Sequence, residues 1–213
     1  MLAVIAFLVI ITARRAFQSA LDQSDFPENL AIKMEAMPVI FVIHMVTGGL
    51  ALLLVPVTIL LRYTRYHRWM GRLVSADVAV AGATAIPVAM YASYTIYSGA
   101  GFIAQALTWM TLLAAGIWNI RQGRVKAHQA CMLMMAAVTS GAVFFRIYLG
   151  LWATFGTHHY FKLFYSIDAW IGWLIPLTVT AAVLYFRSSP ARGRRGGPVT
   201  RQRHGGDEGL RVN

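Results

Sequence analysis

His44, His67, His128, His158, His159 and Arg146 carry most of the chemistry this chain can offer, with Asp77 and Asp168 beside them. A neutral imidazole can ligate haem iron or exchange a proton near neutral pH. A guanidinium keeps its charge and grips an anion, a haem propionate or a quinone oxygen. Position along the chain sorts these residues into two sets. His67 and His128 lie 61 residues apart, each next to a basic loop, with Asp77 close by. His44 and Arg146 stand at similar depths from the other ends of their apolar runs, Asp168 opens the last run there, and His158 and His159 occupy the loop. The sharpest expectation is two b-type haem sites, an inner one through His67 and His128 and an outer one through His44 with His158 or His159.

Each residue also has an ordinary use. His67 and His128 can bond helix-end carbonyls or lipid phosphates. His44 can bond across to a Ser, Thr or Gln, worth ~0.6–2 kcal/mol in a membrane. His158 and His159 read equally as a wet loop, and His204 as part of a solvated tail. Arg146 needs a carboxylate, carbonyls or water at its depth, and Asp168 is the first partner to expect. Asp77 can pair with Arg72 or Arg121, or accept a proton near a site.

The elements that position these groups follow from bilayer thickness. A spanning helix needs ~20 mainly apolar residues, since the hydrocarbon core is ~30 Å thick and each residue rises ~1.5 Å. From Val78 to Ile120 no Lys, Arg, Asp or Glu occurs, and Ser98-Gly99-Ala100-Gly101 reads as a tight turn between two spans. Pro38 to Leu61 is apolar except for His44, Ala130 to Phe155 except for Arg146, and Ala169 to Phe186 throughout. Met1 to Ala13 is short, and spans only if Arg14 and Arg15 snorkel to the headgroups. The expected fold is all-α: a polytopic transmembrane bundle of about six spans with a four-helix core, at about 1–18, 38–62, 72–97, 101–120, 129–154 and 167–187. Residues 1–187 form the membrane domain and 188–213 a disordered basic tail, rich in Gly, Arg and Pro. The N-terminus lacks a basic residue before its apolar run, so a retained helix is expected rather than a cleaved signal.

Charge orients the bundle. Arg62, Arg65, Arg68 and Arg72; Arg121, Arg124 and Lys126; and Arg187, Arg192, Arg194, Arg195, Arg201, Arg203 and Arg211 all fall on one side of a six-span chain. The positive-inside rule makes that side cytoplasmic, with both termini, in a bacterial inner membrane. Arg14 and Arg15 oppose this scheme and are outnumbered. A net charge of +11 on a chain that is 58% hydrophobic points to anionic headgroups and not to nucleic acid. One cysteine, Cys131, excludes an internal disulfide and a cysteine metal cluster. Met132, Met134 and Met135 read as core packing, and Trp109, Trp118, Trp152, Trp170 and Trp173 as interfacial belts.

A weak repeat relates Arg65-Tyr-His67-Arg-Trp-Met70 to Lys126-Ala-His128-Gln-Ala-Cys-Met132, suggesting two related hairpins, spans two–three and four–five. The same shift carries His44 onto Gln105, so the outer histidine is not repeated. The stretch His44-Met-Val-Thr-Gly48-Gly-Leu-Ala-Leu, then Arg62, His67-Arg-Trp-Met-Gly71-Arg72, His128 with Met132, and Arg146 resembles the bacterial multi-pass membrane proteins called the domain-of-unknown-function 2306 family, over roughly 38–155. Gln129 departs from its pattern, where Arg is common. The resemblance implies the fold and helix order and no activity. No phosphate loop, His-Glu-x-x-His or nucleophile elbow is present. Function is therefore read as membrane electron transfer with haem b, a quinone being a further candidate partner. The alternative is an accessory or assembly subunit of a larger membrane complex. A transporter ranks last.

Overall fold

The computed structural model describes residues 2–21 and 37–188. Six α-helices follow one another: α1 (Leu2–Leu21), α2 (Pro38–Leu60), α3 (His67–Ala92), α4 (Ile96–Arg121), α5 (Val125–Phe155) and α6 (Phe161–Ser188), with a 3₁₀ turn at His158–Tyr160 before the last. Helices α2 to α6 are long and apolar enough to cross a membrane; α1 is not among those five. Its Arg14 and Arg15 are exposed, and its small residues Thr12, Ala13 and Ala16 are buried against the bundle. The molecule is a polytopic helical membrane bundle, as the apolar runs require. The expected tail and the segment joining α1 to α2 lie outside the described residues.

The expected turn at Ser98–Gly101 is instead the first turn of α4, and the chain reverses at Ser93–Thr95. A capping box overrides the glycines. Ser98 N–H donates to Thr95 Oγ1 and Thr95 N–H to Ser98 Oγ, both at 3.1 Å, which satisfies two donors that a helix start leaves open. Thr95 Oγ1 also lies 2.6 Å from Ser166 Oγ, tying the corner to α6. Gly101 serves contact, not flexibility: a Cβ there would stand 2.9 Å from the Ala169 carbonyl oxygen. Gly101→Ala is therefore expected to cost about 1–3 kcal/mol of stability in detergent unfolding, because a backbone atom must give way. Gly71→Ala, with nothing within 4 Å of its Cβ, is the control and gains up to ~1 kcal/mol of helix propensity.

Helix α3 begins at His67, earlier than apolarity alone suggests. His67 Nδ1 lies 3.1 Å from the Thr58 carbonyl, one of the last of α2, whose helical partner is missing. His128 Nδ1 likewise lies 2.9 Å from the Gly116 carbonyl near the end of α4. The weak sequence repeat thus has a structural counterpart: each hairpin, α2–α3 and α4–α5, is latched by a histidine from the start of its second helix. A left-handed Gly123, at φ 71°, makes the second reversal. Ala51 and Val55 of α2, Val74 and Val78 of α3, Leu113 of α4 and Met135 of α5 share one core, which is the expected four-helix centre. Helix α1 packs in the groove between α2 and α5, with Ala13 against Leu52 and Val143. Helix α6 covers α4 and α5.

Candidate functional site

All six helices contribute to one cavity of about 300 Å³, placed toward the end of the bundle that holds the α3–α4 corner. That volume is at the lower limit of ordinary ligand sites. Its walls are mostly apolar: Phe41 and Met45 of α2, Ala85 and Ala89 of α3, Phe102 and Trp109 of α4, Phe145 of α5, and Tyr165 and Trp173 of α6. Tyr165 packs edge-on against Phe145 at 5.4 Å and Phe102 at 6.1 Å, which fixes an aromatic side to the cavity.

Four titratable side chains line it: His44, Arg146, Tyr165 and Asp168. Of the outer polar cluster expected from the ends of the spans, His44, Arg146 and Asp168 share the cavity, while His159, a loop histidine expected with them, does not line it. Asp168 is 0% exposed, yet neither of its oxygens has a hydrogen-bond partner. The ion pair expected between Asp168 and Arg146 is thus not made. Arg146 instead donates one bond from its guanidinium to the Ala142 carbonyl of its own helix, at 3.0 Å. His44 Nδ1 lies 3.2 Å from the Ala81 carbonyl, at the middle of α3, and 3.5 Å from Thr84 Oγ1. A carbonyl only accepts, so Nδ1 carries the proton and Nε2 is left as a base. A buried carboxylate with no partner is costly, and in native proteins it marks strain or a site for a ligand or water.

The other candidates go elsewhere. His67 and His128 are half-buried latches near the arginine-rich end and do not line the cavity. The carbonyl-bonding use read for them from the sequence is the contact observed. His159 is exposed and packs against Tyr160, outside the cavity. His158 belongs to the same 3₁₀ turn. Asp77 is half-buried, with one oxygen buried and unpartnered. Among the described residues, no three His, Cys, Asp or Glu side chains converge as a metal site. Met135 is core, as expected, and the Asn119 amide lies 3.9 Å from Cys131 Sγ.

Several lining residues escape sequence reasoning. Trp109 and Trp173, read as belt residues, face inward, their ring N–H groups bonded to Thr139 Oγ1 at 2.9 Å and the Ala169 carbonyl at 3.0 Å. Those bonds let an indole be buried. Gln105 donates to the Val138 carbonyl at 3.3 Å and lines the cavity. The 61-residue shift from His44 was its one signal. Both residues bond a backbone carbonyl of the second helix in their hairpin.

The model of the family described as "Predicted membrane protein (DUF2306)" matches residues 41–184, which hold every cavity-lining residue except Ala16. No curated protein and no solved structure matches the chain.

Proposed function

We propose that this chain, which belongs to the DUF2306 family of membrane proteins, binds the head group of a lipid-soluble quinone or quinol and so serves membrane electron transfer. One observation carries the reading: Asp168 and Arg146 line the same apolar cavity without pairing with each other. Their complement is a molecule that offers a hydroxyl to the carboxylate and an oxygen acceptor to the guanidinium. A quinol head does both, and its flat ring suits walls of Phe102, Phe145 and Trp173. Asp168 accepts the hydroxyl, Arg146 donates to an oxygen, and His44 Nε2 is the base placed to take a proton from the quinol when a separate membrane electron carrier removes its electrons. The isoprenoid tail of such a molecule belongs in the bilayer. By the positive-inside rule, the arginine-rich end is cytoplasmic and the cavity lies toward the outer face.

Quenching of tryptophan fluorescence by a short-chain quinone in detergent tests this, since Trp109 and Trp173 border the cavity. Saturable quenching is expected in the unaltered protein. Arg146→Met should weaken it by about 2 kcal/mol or more, roughly 30-fold, because a buried charged donor is lost. Quenching that never saturates, or is unmoved by Arg146→Met, overturns the reading. A reduced-minus-oxidised visible spectrum of the same preparation is the second arm. Sharp b-type bands that vanish in His44→Ala would put haem in place of quinol.

A further inference from the structure

Asp77 is the one half-buried carboxyl in the described bundle that does not line the cavity. It stands on the same face of α3 as Ala81 and Thr84, at helical spacings of four and seven residues. Those are the two residues of α3 whose oxygens meet His44 Nδ1. Asp77 therefore lies one helical turn, ~6 Å, from the His44 contact, on the side of the arginine-rich end. Helices α2 and α3 run antiparallel, so Gly48, one turn beyond His44 on α2, stands at the same depth as Asp77. Gly48 lines the cavity and a Cβ there would meet nothing within 4 Å. On α3 the cavity is walled by Ala85 and residues beyond it and not by Asp77, Ala81 or Thr84; Gly48 leaves space at the depth of Asp77, which holds one buried oxygen without a partner.

We propose that Asp77 is the proton-relay group of the cavity, passing protons in either direction between the arginine-rich end of the bundle and His44. This deepens the reading of the cavity as a quinol site, because a bound quinol must exchange protons with water as its redox state changes. In the step itself, the Asp77 carboxyl O–H breaks and the proton moves across water in the space over Gly48. A new N–H bond forms at His44 Nε2, with Nδ1–H kept on the Ala81 carbonyl. Asp77 is left a carboxylate, which takes its next proton from the arginine-rich side. Arg146 of α5 bears on the receiving end, since it lines the cavity with His44, and Arg68 and Arg72 of α3 stand on the arginine-rich side of Asp77. Helix α3 packs on α2 and α4, whose only titratable side chains besides His44 are Tyr97 and Arg121, at the two ends of α4.

The test needs no quinone, so its failure is separable from failure of the quinol reading. Protein labelled with ¹⁵N-histidine is placed in nanodiscs, and the exchange of the His44 ring protons with water is timed by NMR. Asp77→Asn is expected to slow that exchange by about 10²-fold, the usual worth of a positioned acid or base, while Asp77→Glu retains it. Asp77→Leu, which removes the buried polar group, is read alongside so that a misfolded Asn variant does not end the test. Ser75→Ala, whose hydroxyl bonds only the Gly71 carbonyl, is the control expected to leave the rate unchanged. In sealed proteoliposomes, phosphate buffer confined to the arginine-rich side should accelerate exchange. An unchanged rate in both Asp77→Asn and Asp77→Leu, or acceleration by buffer on the opposite side alone, overturns the proposal.

Discussion

Asp168→Asn is expected to make the empty protein more stable and to abolish its response to ligand. The carboxylate is 0% exposed and neither oxygen is bonded, so folding strips it of water and returns nothing. An amide of the same shape carries no net charge and is cheaper to bury, and the gain should be about 1–3 kcal/mol. Most substitutions at buried positions go the other way. Added quinol should reverse the order of the two proteins. Ligand at 100 times its dissociation constant stabilises the unaltered chain by about 2.7 kcal/mol, while the Asn variant, having lost the acceptor for the ligand hydroxyl, gains far less. Unfolding by denaturing detergent, with and without short-chain quinol, measures both halves. A variant that is less stable than the parent when empty would mean that Asp168 is held by a structural contact, and the site argument would lose its main support.

This pairing of instability and function explains which parts of the site could be read in advance. Depth along a span is legible in a sequence, because the rise per residue is fixed and the ends of apolar runs are visible. That reading puts His44, Arg146, Asp168 and a loop histidine at one end of the bundle, and the first three share one cavity. Rotation about a helix axis is not legible when a span is apolar all round, as no polar face marks the interior. By sequence Trp109 and Trp173 accordingly read as membrane-interface residues, although both turn inward and bond Thr139 and Ala169. The same limit hid the failure of Arg146 to reach Asp168: equal depth says nothing about azimuth. Helix starts were misplaced for a different reason. Glycines at 98–101 suggest a turn, yet the Thr95–Ser98 box fixes the reversal three residues earlier, and the glycines are spent on packing against Ala89 and Ala169. His67 and His128 matched in sequence and match in structure, as latches on separate hairpins.

Gly48→Leu is the substitution expected to separate binding from folding most cleanly. At several glycines in this bundle an added side chain collides with a neighbour; at Gly141 a Cβ would stand 2.7 Å from the Trp173 Cβ, with the Trp173 backbone at 3.0 Å. Gly48 is different, since its Cβ position is open and belongs to the cavity wall. Leucine there extends into the space that a ring would occupy, one turn from His44. It also replaces the poorest helix former short of proline by one of the best, worth up to ~1 kcal/mol, and fills apolar space at no cost in buried polar groups. The empty protein should therefore unfold at an equal or higher detergent concentration, while quinone quenching of Trp109 and Trp173 weakens by at least about 10-fold, or ~1.4 kcal/mol. Loss of both binding and stability would show that residue 48 is packed in the membrane-embedded protein. Retained binding with a raised stability would place the ligand outside this cavity, and Arg146 and Asp168 would then need another partner.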